Sequence, residues 1–172
     1  VARGLQALGV DRGEIGTVVF THLHGDHRGG YLAGGFEQAR VCLSRGEAVY
    51  WAGQDHPARQ VMEAAGKKLV LVEDGDEPLP GLRVWALPGH TPGHVVFHYP
   101  LGHLAIVGDV LFQGSIGRTD FPKGNHQQLI DSITGRLWPL GDETAFVPGH
   151  GPMSTFAHER KTNGYVSDYA LA

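Results

Sequence analysis

The sequence has few of the residues that characterise several large classes of protein. Its 172 residues include one cysteine, Cys42, so no disulfide can form within the chain. No apolar run approaches the roughly 20 residues of a membrane-spanning helix, and Lys and Arg form no cluster suited to a phosphate backbone. We therefore expect neither a membrane nor a nucleic acid as a partner. Because no segment resembles a secretion signal, we also expect a cytoplasmic location.

Histidine and glycine, in contrast, are abundant, with 11 and 26 residues respectively. Frequent histidine calls for a search for metal-ligand spacing, and frequent glycine indicates many tight loops. The length of 172 residues predicts a single domain over 1–172. The formal charge of −4 gives no excess of positive charge for binding a phosphate backbone.

Short apolar runs and amphipathic segments alternate along the chain. After an N-terminal helix that ends at Gly9, strands are predicted at 17–20, 41–43, 69–72, 82–87, 94–99, 104–107 and 145–147. Helices are predicted from Asp26 onward, at 47–65 with a break at 54–57, at 127–137 and at 154–163. This order, without an internal repeat or linker, predicts one α/β domain.

The strongest chemical signal is the segment 21–27, THLHGDH, which directly follows a predicted strand. In extended backbone the side chains of His22 and His24 lie on the same side, because successive residues alternate. Asp26 and His27 fall in the first turn of the predicted helix. An arrangement of three imidazoles and one carboxylate over so few residues suits two adjacent metal ions.

Three further residues that can bind metal follow at predicted strand ends, each close to glycine or proline. They are His94, Asp109 and His150. Each is weak evidence by itself, but a binuclear hydrolytic site needs several ligands from separate loops. His90 lies in the same turn as His94, and it has two interpretations: a group that orients a ligand, or an ordinary turn residue.

The ordered set of these residues resembles the metallo-β-lactamase superfamily over about residues 15–163. The resemblance implies a metallo-β-lactamase-like αβ/βα sandwich that binds two divalent metal ions. It assigns His22, His24 and His94 to the first metal, Asp26, His27 and His150 to the second, and Asp109 to a bridge between them. Zinc is the metal expected first, with iron or manganese as alternatives, because mixed imidazole and carboxylate ligands discriminate poorly.

Within the superfamily, the segments 114–122 (GSIGRTDFP) and 148–155 (PGHGPMST) resemble the short glyoxalase II branch, the hydroxyacylglutathione hydrolases. This resemblance implies a small-molecule thioester substrate such as an S-2-hydroxyacylglutathione. It also implies attack by a hydroxide that bridges the two metals, with Asp26 orienting the hydroxide. Arg118 would lie near the glycine carboxylate of the substrate; the alternative is a surface arginine that contacts no ligand.

Other segments keep different activities open. Residues 40–81 resemble the lactonase and organophosphate-hydrolase branch, so a lactone, a phosphotriester or a β-lactam would be hydrolysed at the same site. Residues 117–121 (GRTDF) also resemble persulfide dioxygenases, which use a single iron. A third alternative is a metal-stabilised scaffold without catalytic activity.

The family places several strands before its first histidine motif, whereas about twenty residues precede His22 in this sequence. We therefore expect the N-terminal strands of the first half-sheet to be missing. A sheet that lacks its outer strands exposes unpaired backbone groups. This predicts a homodimer or strand exchange through the shortened edge, unless the chain is a fragment, a truncation or a chimera.

Overall fold

The computed structural model describes residues 2–53 and 58–172. Its α-helices are α1 (Ala2–Ala7), α2 (Gly25–Leu32), α3 (Arg45–Ala52), α4 (Arg59–Ala65), α5 (His126–Ser132) and α6 (Phe156–Thr162). Its strands are β1 (Thr17–Val19), β2 (Arg40–Ser44), β3 (Leu69–Val72), β4 (Arg83–Ala86), β5 (Val95–Tyr99), β6 (Leu104–Gly108), β7 (Leu111–Phe112), β8 (Ser115–Ile116), β9 (Ala145–Pro148) and β10 (Ser154–Thr155).

The strands form two main sheets that differ in their connections. β1, β2 and β3 form a parallel sheet in sequence order, with helices in the crossovers. The second sheet has the order β10-β9-β6-β5-β4, in which β6 and β9 are parallel and the other neighbours are antiparallel. β7 and β8 form a separate hairpin after β6.

Three hydrophobic clusters define the layers of the sandwich. Val41 and Leu43 of β2 pack with residues of α3 and α4, whereas Cys42 between them packs toward the second sheet, because strand side chains alternate. Val84 of β4 and Phe97 of β5 belong to the same cluster as Cys42, so the two sheets face each other. A third cluster joins the opposite face of the second sheet to α5 and α6. The predicted αβ/βα sandwich is therefore confirmed.

Polar side chains fix the start of three helices. Ser44 accepts the backbone N–H of Glu47 at the start of α3, and Asn125 accepts the N–H of Gln128 at the start of α5. The Thr155 side chain accepts the N–H of His158 at the start of α6. Each of these bonds satisfies a donor that the helix itself leaves unpaired.

The predicted elements agree with the structure except in three places. The β7–β8 hairpin was not predicted, since its two-residue strands are too short to show periodicity. The helix predicted at 154–163 begins later, because Ser154 and Thr155 pair with β9. The helix predicted at 127–137 is α5 followed by a π-helical turn at Ile133–Leu137. The predicted break at 54–57 lies outside the described residues. Within 2–53 and 58–172, no helix has both the length and the apolar character needed to cross a membrane.

Candidate metal centre

The histidine-rich loops meet at one edge of the sandwich. The loop after β1 carries the 21–27 motif, and the β4–β5 connection carries His90. Asp109 follows β6 and His150 follows β9, and these two strands are parallel neighbours. Because β5 is antiparallel to β6, the start of β5 lies at the same edge as the end of β6. The topology therefore collects residues that are more than 120 positions apart in the chain, from His22 to His150.

A first group of possible metal ligands consists of His22, His24 and His90, whose ring nitrogens lie within 4.8 Å of one another. Nε2 of His90 is 2.9 Å from Nδ1 of His24, and Nδ1 of His90 is 2.7 Å from the carbonyl oxygen of Arg118. A proton on Nδ1 of His90 that is donated to this carbonyl leaves the Nε2 lone pair facing His24, as in metal-ligating histidines. His22 is fully buried, and its Nε2 has no hydrogen-bond partner among the described residues.

A second group consists of Asp26, His27 and His150, and a third of His22, His27 and Asp109. The carboxylate of Asp109 lies between the groups. Its Oδ1 is 3.2 Å from Nε2 of His27, and its Oδ2 is 3.6 Å from Nε2 of His150. Oδ2 is also 3.7 Å from Nε2 of His90. One carboxylate thus contacts histidines of all three groups, as a bridging ligand would.

The first group is held in the uncharged form that binds metals. Burial lowers the pKa of His22 well below its usual value, and the neighbouring His94 lowers it further. Burial, followed by the nearby His90, lowers the pKa of His24 to about 4. Burial also lowers the pKa of His90, although its contact with the Arg118 carbonyl opposes this shift. Neutral imidazoles present lone pairs, so no proton has to leave these nitrogens when a cation binds near pH 7.

In the second group, imidazoles lie next to carboxylates, and each shifts the pKa of the other. Burial alone would lower the pKa of His27, but the adjoining carboxylate of Asp109 raises it above its usual value. Burial alone would raise the pKa of Asp26, but hydrogen bonding to its own backbone, together with His27 and His150, holds it below the usual value. The carboxylate of Asp26 is therefore ionised near pH 7 and lies 2.9 Å from Nε2 of His150.

His94 has a different environment from the other predicted ligands. Like His22 it is fully buried, but it lies outside the three groups that the described residues form. Its Nε2 accepts the backbone N–H of Asp109 at 3.2 Å. Thus the structure brings together six of the seven predicted ligands and adds His90, while His94 supports the backbone of Asp109. The sequence His-Thr-Pro-Gly-His could not distinguish the two histidines, and both are buried. They differ in their partners, since His90 contacts His24 and the Arg118 carbonyl, whereas His94 contacts the backbone of Asp109.

Two glycines allow the loops to close around Asp109. A Cβ on Gly149 would lie 2.0 Å from Oδ1 of Asp109, and a Cβ on Gly117 would lie 1.8 Å from its carbonyl oxygen. Both distances are far below any contact that a side chain can make. Glycine beside His150 and beside Arg118 is therefore a packing requirement of the site, not only a property of turns.

Next to the ligand groups lies a cleft of about 480 Å³. Its apolar lining includes Phe112 and Phe121, which sequence analysis did not single out, and its polar lining includes five of the metal-ligand candidates, His24, Asp26, His90, Asp109 and His150. Arg118 lies at the rim, with its guanidinium 4.7 Å from the ring centre of Phe121. The same guanidinium pairs with the exposed carboxylate of Asp120 through two hydrogen bonds of 3.0 and 2.8 Å. The cleft thus offers both apolar surface and one cationic group to a ligand.

The donors fit divalent transition metals. Imidazole nitrogens and carboxylate oxygens are the ligands of zinc, iron and manganese sites in hydrolases. Buried polar atoms normally have hydrogen-bond partners, yet Nε2 of His22 has none among the described residues, and Oδ1 of Asp109 has only its ion-pair contact with His27. A bound cation would satisfy both atoms. Some of the metal-ligand candidates are therefore buried polar atoms that other protein groups do not fully satisfy.

Comparison with known proteins finds similarity in family, sequence and fold. A family model described as the metallo-beta-lactamase superfamily matches residues 1–150. The hydroxyacylglutathione hydrolase GloC of Haemophilus influenzae is 48% identical over 81 residues, which cover 47% of this chain and 38% of that protein. The match therefore spans well under half the length of this curated relative.

Solved structures are similar over most of the chain. TTHA1623, in a di-iron-bound form, has a TM-score of 0.77 and 33% identity, with 95% of this chain and 82% of that chain covered. The BLEG-1 B3 metallo-beta-lactamase has a TM-score of 0.78 and 28% identity, with 96% of this chain and 82% of that chain covered.

Proposed function

Because the chain belongs to the metallo-β-lactamase superfamily, we propose that it is a binuclear metallohydrolase that cleaves a thioester such as an S-2-hydroxyacylglutathione. The observation that carries this proposal is the set of three ligand groups beside an open cleft, in which the group His22, His27 and Asp109 shares one histidine with each of the other two. The single domain over 1–172 and a cytoplasmic location are part of the same proposal.

In this proposal His22, His24 and His90 would hold the first metal, with His90 in place of the predicted His94. Asp26, His27 and His150 would hold the second metal, and Asp109 would serve both as the predicted bridging ligand. Two bound divalent ions would lower the pKa of water from 15.7 to about 7 and would polarise the carbonyl that is attacked. Zinc is the metal we expect first, and the di-iron-bound form of TTHA1623 supports iron as an alternative.

The chain's own residues supply orientation and substrate binding. Asp26 is ionised and more exposed than the other carboxylate of the centre, so it can accept a hydrogen bond from the attacking oxygen and direct it toward the cleft. Phe112 and Phe121 exclude water from the acyl side of the substrate. Arg118 would exchange its contact with Asp120 for the carboxylate of the glutathione moiety.

The test is hydrolysis of S-lactoylglutathione by protein loaded with zinc, with metal-stripped protein as the control. We expect turnover only with metal, with two equivalents bound. If lactones, phosphotriesters or β-lactams are hydrolysed in preference to the thioester, the proposed metal centre stands and the proposed substrate is wrong. One equivalent of iron with oxygen consumption on glutathione persulfide would contradict hydrolysis, and loss of all these activities would leave a metal-stabilised scaffold.

Pairing of two copies of this chain through β1 stays a separate prediction. Among the described residues β1 pairs only with β2, and an apolar groove of about 360 Å³ runs along its other side. Exposed strand edges favour pairing with another strand. Light scattering at micromolar concentration should give the mass of a dimer, and a monomer would contradict the prediction.

A further inference from the structure

One buried carboxylate has no place in the proposed centre. Glu47, in the first turn of α3, has none of its surface exposed. Its Oε2 accepts the backbone N–H of Leu23 at 3.1 Å and the indole N–H of Trp51 at 2.7 Å. Its Oε1 accepts the hydroxyl of Thr91. A buried carboxylate is costly unless it is fully hydrogen-bonded, so these donors, together with the backbone N–H of Gly93, make its burial tolerable.

The donors belong to the loops that carry the first ligand group. Leu23 lies between His22 and His24, and Thr91 directly follows His90. The ring of Trp51 lies edge-on to the ring of His24, with 6.0 Å between their centres. A single carboxylate on α3 therefore joins the loop after β1 to the β4–β5 connection, at the positions that adjoin the three histidines.

The backbone around Glu47 also lies close to the β4–β5 connection. A Cβ on Gly93 would lie 2.0 Å from the backbone nitrogen of Glu47, so the β4–β5 connection lies directly against the start of α3. The Ser44 hydroxyl donates to the carbonyl oxygen of Gly93 in the same region. The contact between the helix and the loop is thus made by backbone as well as by side chains.

Helix capping does not account for the position of this carboxylate. The sequence Ser44-Arg45-Gly46-Glu47 has the spacing of a capping box, in which the glutamate would accept the backbone N–H of the serine. Here the Ser44 side chain accepts the N–H of Glu47, but the carboxylate turns toward Leu23 and Thr91 instead. The orientation of Glu47 therefore serves the two loops.

We infer that Glu47 is a positioning residue that holds the His22–His24 loop and His90 at ligand spacing before metal binds. The inference rests on the proposed metal centre. Without this carboxylate, Leu23 and Thr91 would have unpaired buried donors, and the two loops would lose their shared anchor. Outer contacts of this kind typically change metal affinity by about 10–100-fold.

Glu159 provides a matched control within the same chain. It is also fully buried, and it accepts the N–H of Gly114 at 2.8 Å, the side-chain amide of Asn163 at 2.9 Å and the hydroxyl of Ser154. These donors lie around the β7–β8 turn and α6, and none adjoins a histidine of the first group. Its removal should cost stability without loosening that group.

The experiment compares Glu47→Ala, Glu47→Gln and Glu159→Ala with the unaltered protein. Amide exchange of Leu23 is measured by NMR in metal-free protein, and zinc affinity is measured by competition with a chromophoric chelator. Glu47→Ala should expose the Leu23 amide to exchange and weaken zinc binding about 10–100-fold. Glu47→Gln should retain both properties, because its oxygen can accept from Leu23 and Trp51 while its NH2 donates to Thr91.

The control should separate positioning from general stability. Glu159→Ala should lower the unfolding temperature but leave Leu23 exchange and zinc affinity unchanged. A folded Glu47→Ala protein with unchanged exchange and affinity would overturn the inference. If Glu47→Ala does not fold, Thr91→Val removes one donor only, and unchanged zinc affinity in that variant would overturn it equally. If the unaltered protein binds no zinc, the proposed function fails, whereas unprotected exchange at Leu23 in Glu47→Ala would still show that Glu47 holds the loop.

Discussion

The two halves of the sandwich contribute to the candidate metal centre in different ways. The parallel sheet provides four residues from one continuous motif, in which His22 and His24 follow β1 and Asp26 and His27 begin α2. The five-stranded sheet provides single residues from three separate connections. The first half therefore places its ligands by local backbone geometry, whereas the second half depends on strand order. The difference indicates that the second half is more sensitive to changes in tertiary packing.

The largest effect should follow from removing the residue on which both halves depend. Asp109→Ala removes the carboxylate that contacts His27, His90 and His150. We expect hydrolysis to fall below detection and metal content to fall for both ions, as measured by elemental analysis of folded protein. Asp120→Ala, which removes an exposed carboxylate at the cleft rim, is the control and should retain both metals. Unchanged turnover in Asp109→Ala would contradict the bridging role.

A smaller effect should distinguish the two histidines of the β4–β5 connection. His90→Ala should weaken zinc binding strongly and change the unfolding temperature little. His94→Ala should do the reverse, because it leaves a buried cavity and an unpaired Asp109 N–H, at a cost of about 1–3 kcal/mol. Thermal unfolding of metal-free protein and chelator competition measure the two effects. If His94→Ala weakens zinc binding and His90→Ala does not, His94 is the metal ligand. The five-stranded sheet would then contribute His94, not His90, from the β4–β5 connection.

The smallest effect should occur at the cleft rim, where exposure weakens charge interactions. Arg118→Ala should raise KM for S-lactoylglutathione about fivefold, with kcat nearly unchanged, as expected for a contact of about 1 kcal/mol. Asp120→Asn should lower KM, because it frees the guanidinium from its present partner. Steady-state kinetics with a thioester that lacks a carboxylate provides the control. If Arg118→Ala impairs both substrates equally, Arg118 has a structural role instead.

Several features of the fold could be predicted because they depend on local pattern. The strand at 69–72 was predicted with the observed bounds, and β2, β5, β6 and β9 each differ by one or two residues. Their short apolar runs end at glycine, proline or charged residues, which makes them visible in the sequence. The β7–β8 hairpin has strands of two residues and carries no such pattern. Its position is fixed by contacts with Glu159 and Asn163, which are distant in the chain.

The residue types of the candidate centre, and their positions next to strand ends, follow from local sequence pattern. The THLHGDH motif must place its ligands close together, since alternation along a strand and one helical turn leave little freedom. Which histidine of His-Thr-Pro-Gly-His lies in a ligand group depends on contacts between distant loops, because the Arg118 carbonyl orients His90 and the backbone N–H of Asp109 engages His94. The tertiary structure also places Glu47 between the two ligand loops, since its partners Leu23 and Thr91 are 24 and 44 residues away in sequence.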